Sequence, residues 1–270
     1  LPNGMPNQID FVSTPEGYGF LYDFFVRKKS ENKLLVKGRT YDNKHLPAGY
    51  IDNLKGSYTE QQLNAYLNGD FVNFDSGNVY YNFNRDTHHS DRTIQENDTL
   101  HIGMDFNITK MNAVVRVIDG NISTAVAEIT NAYDTANMLR IIKEKFGNHR
   151  IIIYPDASGN ARNSAGNSDF DLIRQAGFPI KVASQNPRIM DRVNIVNASF
   201  LNAKNETVNY VNTTACPELT EAYEQLGYNN GLPDKGSGLD HIIDADGYAI
   251  YMIHKRKPRV SFQLGGGNLL

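Results

Sequence analysis

The sequence predicts an α/β domain built on a mixed sheet, and three observations support this prediction. Residues 99–107, 112–120 and 122–130 have strand patterns, and the last two flank "DGN", a strong hairpin signal. A helix pattern at 134–147 precedes the short apolar run 149–159, which is typical of a strand at a sheet centre. Antiparallel strands followed by alternating helices and strands define a mixed sheet.

The composition is that of an ordinary globular protein. The 270 residues suffice for one large domain or two smaller ones with a core, and 40% of them are apolar and 21% charged. The net charge of −3 gives nucleic-acid binding no bulk support, so DNA contacts would need local basic residues. A single cysteine, Cys216, excludes an intrachain disulfide framework and fits a reducing compartment.

Targeting signals are not evident in the sequence. No apolar run approaches the ~20 residues of a membrane span, so we expect no membrane partner. The beginning of the sequence has neither the basic nor the apolar part of a signal peptide. It also has no initiator methionine, as in a fragment of a longer protein.

The first part of the chain predicts a short strand at 8–17, a helix at 18–29 and a strand at 33–40. In the first helix we expect three side chains to point inward: Phe20, Phe24 and Val26. Residues 47–71 carry two short helical patterns, and Thr59 with Gln62 fits a helix-capping box. The polar stretch 73–93 places a domain boundary near residue 95.

The later elements follow the same reasoning. Asp134 or Thr135 would cap the helix at 134–147, and Gly147 would end it. The remaining predicted elements are a helix at 168–177, a strand at 178–183, and helices at 186–203 (with Pro187 early), 217–228 and 240–253.

Three aspartates occupy positions that suggest chemistry. Asp105 ends the first strand, Asp156 ends the apolar strand, and Asp244 lies within the last helix. Strand ends of α/β sheets are where sites cluster, and converging carboxylates repel one another unless a cation lies among them. Oxygen ligands suit Mg²⁺ or Mn²⁺, two of which can promote phosphodiester hydrolysis. The alternative is that each aspartate is a turn or cap residue.

The last helix, "DHIIDADGYAIYMI", has two distinct faces. The apolar face would contain Ile242, Ala245, Ala249, Ile250 and Ile253, and the opposite face would contain Asp240, His241, Asp244, Tyr248 and Tyr251. Asp240 is expected at the N-cap. Asp246 falls among the apolar residues, where it would pair with Arg116 or Arg192 unless that face is less buried.

Several short motifs in this order resemble one known family. They are "FVSTPEGYGFLYDFF" (11–25), "TYDNKHLPAGYIDNL" (40–54), "IGMDFN" (102–107), "IYPDASG" (153–159) and "DHIIDADGYAIY" (240–251). The set is similar to the large terminase subunit of tailed double-stranded DNA phages, from the end of its ATPase domain through its nuclease domain.

The resemblance implies an RNase H-like mixed sheet flanked by helices at 96–270, preceded by the end of an ATPase module and a linker at 1–95. It implies metal binding by Asp105, Asp156 and Asp244, two Mg²⁺ or Mn²⁺ ions, and His241 beside them. Two positions depart from the family pattern: residue 246 is usually apolar, and residue 247, here glycine, is often a long basic residue.

The family's activity would be metal-dependent cleavage of double-stranded DNA during genome packaging, in the host cytoplasm. Its partners would be double-stranded DNA, the portal protein and the small terminase subunit. The sequence has no G-x-x-x-x-G-K-[ST] phosphate loop, so we expect no ATPase activity from this chain alone.

Some assignments stay open. Candidate DNA contacts are Lys110, Arg162, Lys181, Arg188 and Arg192, and the basic run 254–259 would contact DNA or a partner, or only keep a helix end soluble. Glu128 is either a fourth acid or a solvated strand residue. The alternatives for the whole chain are another RNase H-like nuclease, such as a junction resolvase or an integrase relative, and a non-catalytic docking module.

Overall fold

The computed structural model describes residues 9–14, 20–28, 30–71, 77–106, 110–161 and 168–255. Within these ranges, no helix is long and apolar enough to cross a membrane.

A five-stranded mixed sheet forms the centre of the structure, as predicted. Its strands are β1 (Thr99–Asp105), β2 (Met111–Asp119), β3 (Ile122–Ala132), β4 (Arg150–Pro155) and β5 (Asn209–Val211). Their order is β4-β1-β2-β3-β5. The β1–β2 and β2–β3 pairs are antiparallel, whereas β1–β4 and β3–β5 are parallel. A two-stranded hairpin, β6 (Tyr228–Asn229) and β7 (Leu232–Pro233), lies apart from this sheet.

Helices precede the sheet and pack on it. They are α1 (Phe20–Tyr22, continued by a π-helical turn at Asp23–Arg27), α2 (Tyr50–Lys55), α3 (Glu60–Asn68), α4 (Thr135–Phe146), α5 (Asp169–Gln175), α6 (Ile189–Phe200), α7 (Pro217–Gln225) and α8 (Asp240–His254). Short 3₁₀ turns occur at Thr40–Asp42 and Ala157–Asn160.

Local capping chemistry explains why several elements form where the sequence predicts them. The Thr59 side chain accepts from the Gln62 backbone, and the Gln62 side chain accepts from the Thr59 backbone, which closes a capping box on α3. Asp134, rather than Thr135, caps α4, which ends at Gly147. In the β2–β3 hairpin, Gly120 has φ +65°, a conformation that favours glycine.

Several predictions about individual strands are wrong. Residues 9–14 and 33–39 form no strand, because no neighbouring strand pairs with them in the described residues. The predicted strand at 178–183 is one parallel bridge, Ile180 to Ile153. Its neighbour β4 lies at one end of the sheet order and not at its centre.

Two further details of the predicted helices change. Phe20 and Val26 are exposed, with 62% and 37% of their surface accessible, although they were expected to point inward. The helix predicted at 186–203 begins after Pro187, since Arg188 is the N-cap of α6.

Apolar clusters cover both faces of the sheet. One contains Leu100, Ile102 and Met104 of β1 together with residues of α4 and α5. The other includes residues of α6, α7 and α8, together with Val79, Tyr80 and Phe83 from before β1. The domain boundary near residue 95 stays a prediction. Val79, Tyr80 and Phe83 precede this boundary in the sequence but pack in the same cluster as residues that follow it.

Helix α8 lies directly against β1 because Gly103 has no side chain. A Cβ atom at Gly103 would lie 2.1 Å from the backbone oxygen of Ala245 and 3.1 Å from the Ala249 side chain. Side chains alternate along a strand, so Asp105 is on the same face as Gly103 and also faces α8. The contact therefore positions Asp105 beside the first turns of α8.

A buried ion pair also fastens α8 to the sheet. Arg116 of β2 donates to Asp246 through Nε at 2.6 Å and through a second guanidinium nitrogen at 3.1 Å, and neither side chain is exposed. Tyr223 donates its hydroxyl to the same carboxylate at 2.5 Å. Ser123 and Asn209 each accept one further hydrogen bond from the Arg116 guanidinium. Asp246 thus pairs with Arg116, one of its two predicted partners.

Replacing Gly103 with alanine should destabilise the protein by about 1–3 kcal/mol, because the added methyl group forces α8 away from β1. Urea unfolding followed by circular dichroism measures the change. Gly227→Ala is the matched control, since a Cβ there meets nothing within 4 Å. Equal stability of the two variants would show that close packing at Gly103 does not position α8.

Replacing Asp246 with asparagine should cost about 3–5 kcal/mol, because it leaves the Arg116 charge buried without its counterion. Glu144→Gln is the control, since Arg140 and Glu144 form an exposed pair within α4 and its loss should change little. The same unfolding experiment tests both. A small effect of Asp246→Asn, similar to that of the control, contradicts an anchoring role for this pair.

Candidate metal-binding active site

One cavity of about 500 Å³ opens where β1 and β4 end against α6 and the start of α8. It is lined by Asp105, Phe106, Asp156, Asn186, Pro187, Ile189, Arg192, Lys235, Asp240, His241, Asp244 and Tyr248. The sequence predicts three aspartates and one histidine as site residues, and all four line this cavity: Asp105, Asp156, His241 and Asp244. Three elements that are far apart in the chain thus bring these groups to one place.

Asp105 is the most perturbed carboxyl group of the cavity. It is only 7% exposed, at the end of β1. Burial, and after it the charges of Asp244 and Asp156, raise the pKa of Asp105 to about 7. Nδ1 of His241 lies 3.8 Å from Oδ2 of Asp105. The carboxylate form of Asp105 is therefore costly here, unless a positive charge is added.

Asp156 is held in its charged form by hydrogen bonds. Its Oδ1 accepts from the Ser158 backbone at 2.7 Å and from Asn186 Nδ2 at 2.6 Å, and its Oδ2 accepts from the Tyr248 hydroxyl at 3.0 Å. Burial alone would raise its pKa, but the bonds from Asn186, Ser158 and Tyr248 outweigh burial and leave the pKa below its usual value. Asp156 is a fixed carboxylate beside the more readily protonated Asp105.

Asp244 is paired with an internal cation. Arg192 of α6 donates a short hydrogen bond to Asp244 Oδ1, and the arginine side chain is only 4% exposed. Burial raises the pKa of Asp244, and the positive charge of Arg192 opposes this rise. The Arg192 guanidinium also lies over the Tyr248 ring, 4.5 Å from its centroid.

Gly247 leaves the space that Arg192 occupies. A Cβ at position 247 would lie 2.8 Å from Cδ and 3.0 Å from Nε of Arg192. The resemblance described above implies a long basic residue at this position, where the chain has glycine. In the structure, a basic side chain from α6 runs through the space left open at residue 247.

The donor atoms of the cavity fit a hard divalent cation. Its four carboxyl groups, Asp105, Asp156, Asp240 and Asp244, offer the oxygen ligands that Mg²⁺ and Mn²⁺ prefer. A buried oxygen, Oδ1 of Asp240, has no hydrogen-bond partner. In the conformation described, no three of the acidic, histidine or cysteine side chains of the described ranges are arranged to hold an ion together. Binding would therefore require side chains to move, beginning with the Asp244 that Arg192 now holds.

Most of the predicted DNA-contact residues lie elsewhere. Lys110, Lys181 and Arg188 are exposed and do not line the cavity, whereas Arg192 is buried inside it. Arg162 and residues 256–259 of the basic run are outside the described residues.

The structure shows where two further acidic residues of the sequence analysis, Glu128 and Asp240, lie. Glu128 accepts hydrogen bonds from the backbones of Glu218 and Leu219 at 3.0 Å each, so it caps the start of α7. It does not line the cavity that contains the aspartates. The prediction of Asp240 as N-cap is wrong, because Leu239 holds that position and Asp240 is the first residue of α8.

Sequence reasoning missed two polar residues of the cavity, Asn186 and Lys235. Asn186 precedes α6 and donates a hydrogen bond to Asp156, and Lys235 is an exposed cation whose charge opposes the rise in the pKa of Asp244. Both come from loops without periodicity, and their nearness to the aspartates depends on tertiary structure. Tyr248 was placed on the polar face of α8, but without its bond to Asp156.

No family model matches the sequence, and no curated protein is detectably similar to it. Solved structures are similar. The large terminase from a thermophilic bacteriophage, in complex with ATP-gamma-S, matches with a TM-score of 0.65 and 18% identity over 88% of this chain. The P22 large terminase nuclease domain matches with a TM-score of 0.52 and 15% identity, over 67% of this chain and 94% of that domain.

These similarities establish the fold. The mixed five-stranded sheet with flanking helices is the RNase H-like architecture of terminase nuclease domains, and both of the structural neighbours named above are terminase proteins. The chain spans 61% of the length of the thermophilic phage terminase that it matches.

The raised pKa of Asp105 predicts how stability depends on pH without metal. An aspartate with an ordinary pKa near 3.8 when unfolded and about 7 when folded destabilises the native state increasingly as pH rises from 4 to 7. Asp105→Asn should therefore stabilise the protein by an amount that grows over this range, up to roughly 4 kcal/mol above pH 7.

Denaturant unfolding in EDTA at pH 4 to 8 measures this difference, with the exposed Asp86→Asn as control. The difference between Asp105→Asn and the wild type should rise with pH, and that between Asp86→Asn and the wild type should not. If the Asp105→Asn difference is the same at every pH, the carboxyl group is not buried among like charges.

Proposed function

We propose that this chain is a divalent-metal-dependent endonuclease that cuts double-stranded DNA, as the nuclease part of a phage large terminase subunit. The observation that carries the proposal is the meeting of Asp105, Asp156 and Asp244 at one cavity, from β1, the loop after β4 and α8. The RNase H-like fold, shared with the large terminase structures, supports the same function.

The three aspartates would hold Mg²⁺ or Mn²⁺, with two ions in the active protein. Such ions, when bound, activate water for attack on the phosphodiester and stabilise the leaving oxygen. The oxygen-only carboxylate set and the unpartnered Oδ1 of Asp240 are the features of this chain that fit a hard cation.

The protein's own groups orient these ligands. Asn186, the Ser158 backbone and the Tyr248 hydroxyl fix both oxygens of Asp156 and leave it charged. Such partners of a ligand matter nearly as much as the ligand itself. His241 Nδ1 lies 3.8 Å from Oδ2 of Asp105 and 4.0 Å from Oδ1 of Asp240, beside the proposed ligands.

Two cations of the cavity would contact DNA phosphates. Arg192 now pairs with Asp244, and its guanidinium would be available to a phosphate if Asp244 served as a metal ligand instead. Lys235 is exposed at the cavity. Lys110, Lys181 and Arg188 are exposed outside the cavity and would contact the duplex along its backbone, with little sequence specificity.

The remaining parts of the proposal follow from the terminase assignment. Residues 1–95 would be the end of an ATPase module and a linker, and 96–270 the nuclease domain. The portal protein and the small terminase subunit would be the protein partners, in the host cytoplasm. This chain alone would not hydrolyse ATP, since its sequence has no phosphate loop of the G-x-x-x-x-G-K-[ST] type.

The test is cleavage of supercoiled plasmid with Mn²⁺, Mg²⁺ or EDTA. We expect conversion to nicked and linear DNA only with the divalent ion. Asp105→Asn and Asp244→Asn should each abolish it, since both remove a proposed metal ligand. The control is Asp86→Asn, which changes an exposed aspartate outside the cavity.

The nuclease assignment is contradicted if Asp105→Asn and Asp244→Asn both cleave as the wild type does, or if the wild type cleaves with neither Mn²⁺ nor Mg²⁺. A linear duplex and a four-way junction serve as further substrates. Cleavage confined to the junction would favour a resolvase, and metal-independent binding without cleavage would favour a docking module.

A further inference from the structure

A buried carboxylate with no hydrogen-bond partner marks one side of the cavity. Asp240 is 4% exposed, and its Oδ1 is fully buried without such a partner. The Nε atom of Arg192, on another wall of the cavity, is in the same condition. Buried polar atoms are nearly always bonded, so two such atoms around one cavity indicate that it is built for a further group.

The position of Asp240 in α8 does not explain its burial. It is the first residue of the helix, and no side-chain capping bond forms at this end. An acid in the first turn is favoured by the helix dipole, but this benefit is available to an exposed side chain and needs no burial. The nearest cationic candidate, His241 Nδ1, is 4.0 Å from Asp240 Oδ1, too far for a hydrogen bond.

The charges around Asp240 also leave it uncompensated. The cavity contains four carboxyl groups and two permanent cations, Arg192 and Lys235. Arg192 bonds Asp244, and Lys235 is exposed. A fourth carboxylate buried among like charges opposes folding unless a cation is bound.

We propose that Asp240 is a fourth carboxylate ligand of the metal centre, binding a Mg²⁺ or Mn²⁺ ion together with Asp105 and Asp244. This inference rests on the proposed function. It assigns to the first residue of α8 a direct contact with the ion. Asp156 is held by Asn186 and by the hydroxyl of Tyr248, which is also in α8.

The test is Mn²⁺ binding to the full chain by calorimetry, with free Mn²⁺ counted by electron paramagnetic resonance. Asp240→Asn keeps the shape of the side chain and removes its charge. We expect it to weaken the binding of one ion by about tenfold or more, the scale of a lost interaction at a metal site. Asp191→Asn, with its exposed surface pair, should bind Mn²⁺ as the wild type does.

Thermal unfolding gives a second readout that does not depend on activity. In EDTA, Asp240→Asn should unfold at the same temperature as the wild type or higher, because a repulsive buried charge is gone. With saturating Mn²⁺, the variant should gain less stability than the wild type. Asp240→Ser, a smaller polar side chain without charge, is the second variant and should behave in the same way.

Three outcomes overturn the inference. Wild-type affinity for Mn²⁺ in Asp240→Asn, with binding lost in Asp105→Asn, removes Asp240 from the metal centre and leaves the proposed nuclease intact. Loss of folding in both Asp240 variants in EDTA shows a structural role, in place of metal binding. No Mn²⁺ binding by the wild type itself rejects the proposed function along with this inference.

Discussion

The contact of α8 with β1 at Gly103 is the constraint on which the site depends. Because Gly103 has no side chain, the Ala245 backbone can lie against the strand, and the first turns of the helix then face Asp105. The buried pair of Arg116 and Asp246 fixes the same helix further along. A buried ion pair is a weak source of stability, but it is costly to break, so it favours one position of α8 over others.

This arrangement concentrates negative charge, and the protein compensates for it unevenly. Asp156 is stabilised by hydrogen-bond donors and Asp244 by Arg192, whereas burial and the neighbouring carboxylates dominate at Asp105. As a result, the carboxyl group of Asp105 has a pKa of about 7, whereas Asp156 and Asp244 each have a hydrogen-bond donor that stabilises the charged form. Arg192 can hold Asp244 because Gly247 leaves room for its side chain. In this account, Arg192 is the cation that allows the site to fold before a divalent ion arrives.

How much the sequence predicts depends on whether the signal is local. The hairpin at Gly120, the capped helices α3 and α4, and the strands ending at Asp105 and Asp156 all follow from turn chemistry, caps and periodicity. The strand predicted at 33–40 is wrong because no strand of the described residues pairs with it, whereas the run 178–183 pairs with β4 only at the single bridge of Ile180 to Ile153. The three aspartates were found because strand ends and a helix face mark them. The roles of Asn186, Lys235 and Gly247 depend on packing between distant segments, which no local pattern records.

The central claim is that the carboxylates of α8, β1 and the loop after β4 come together to bind divalent cations. The most direct measurement is anomalous diffraction from crystals soaked in MnCl₂. The account predicts manganese peaks inside the cavity, in contact with Asp105, Asp156 and Asp244, with the Arg192 guanidinium moved off Asp244. A cavity without manganese, and with Arg192 still bonded to Asp244 at saturating Mn²⁺, would contradict it.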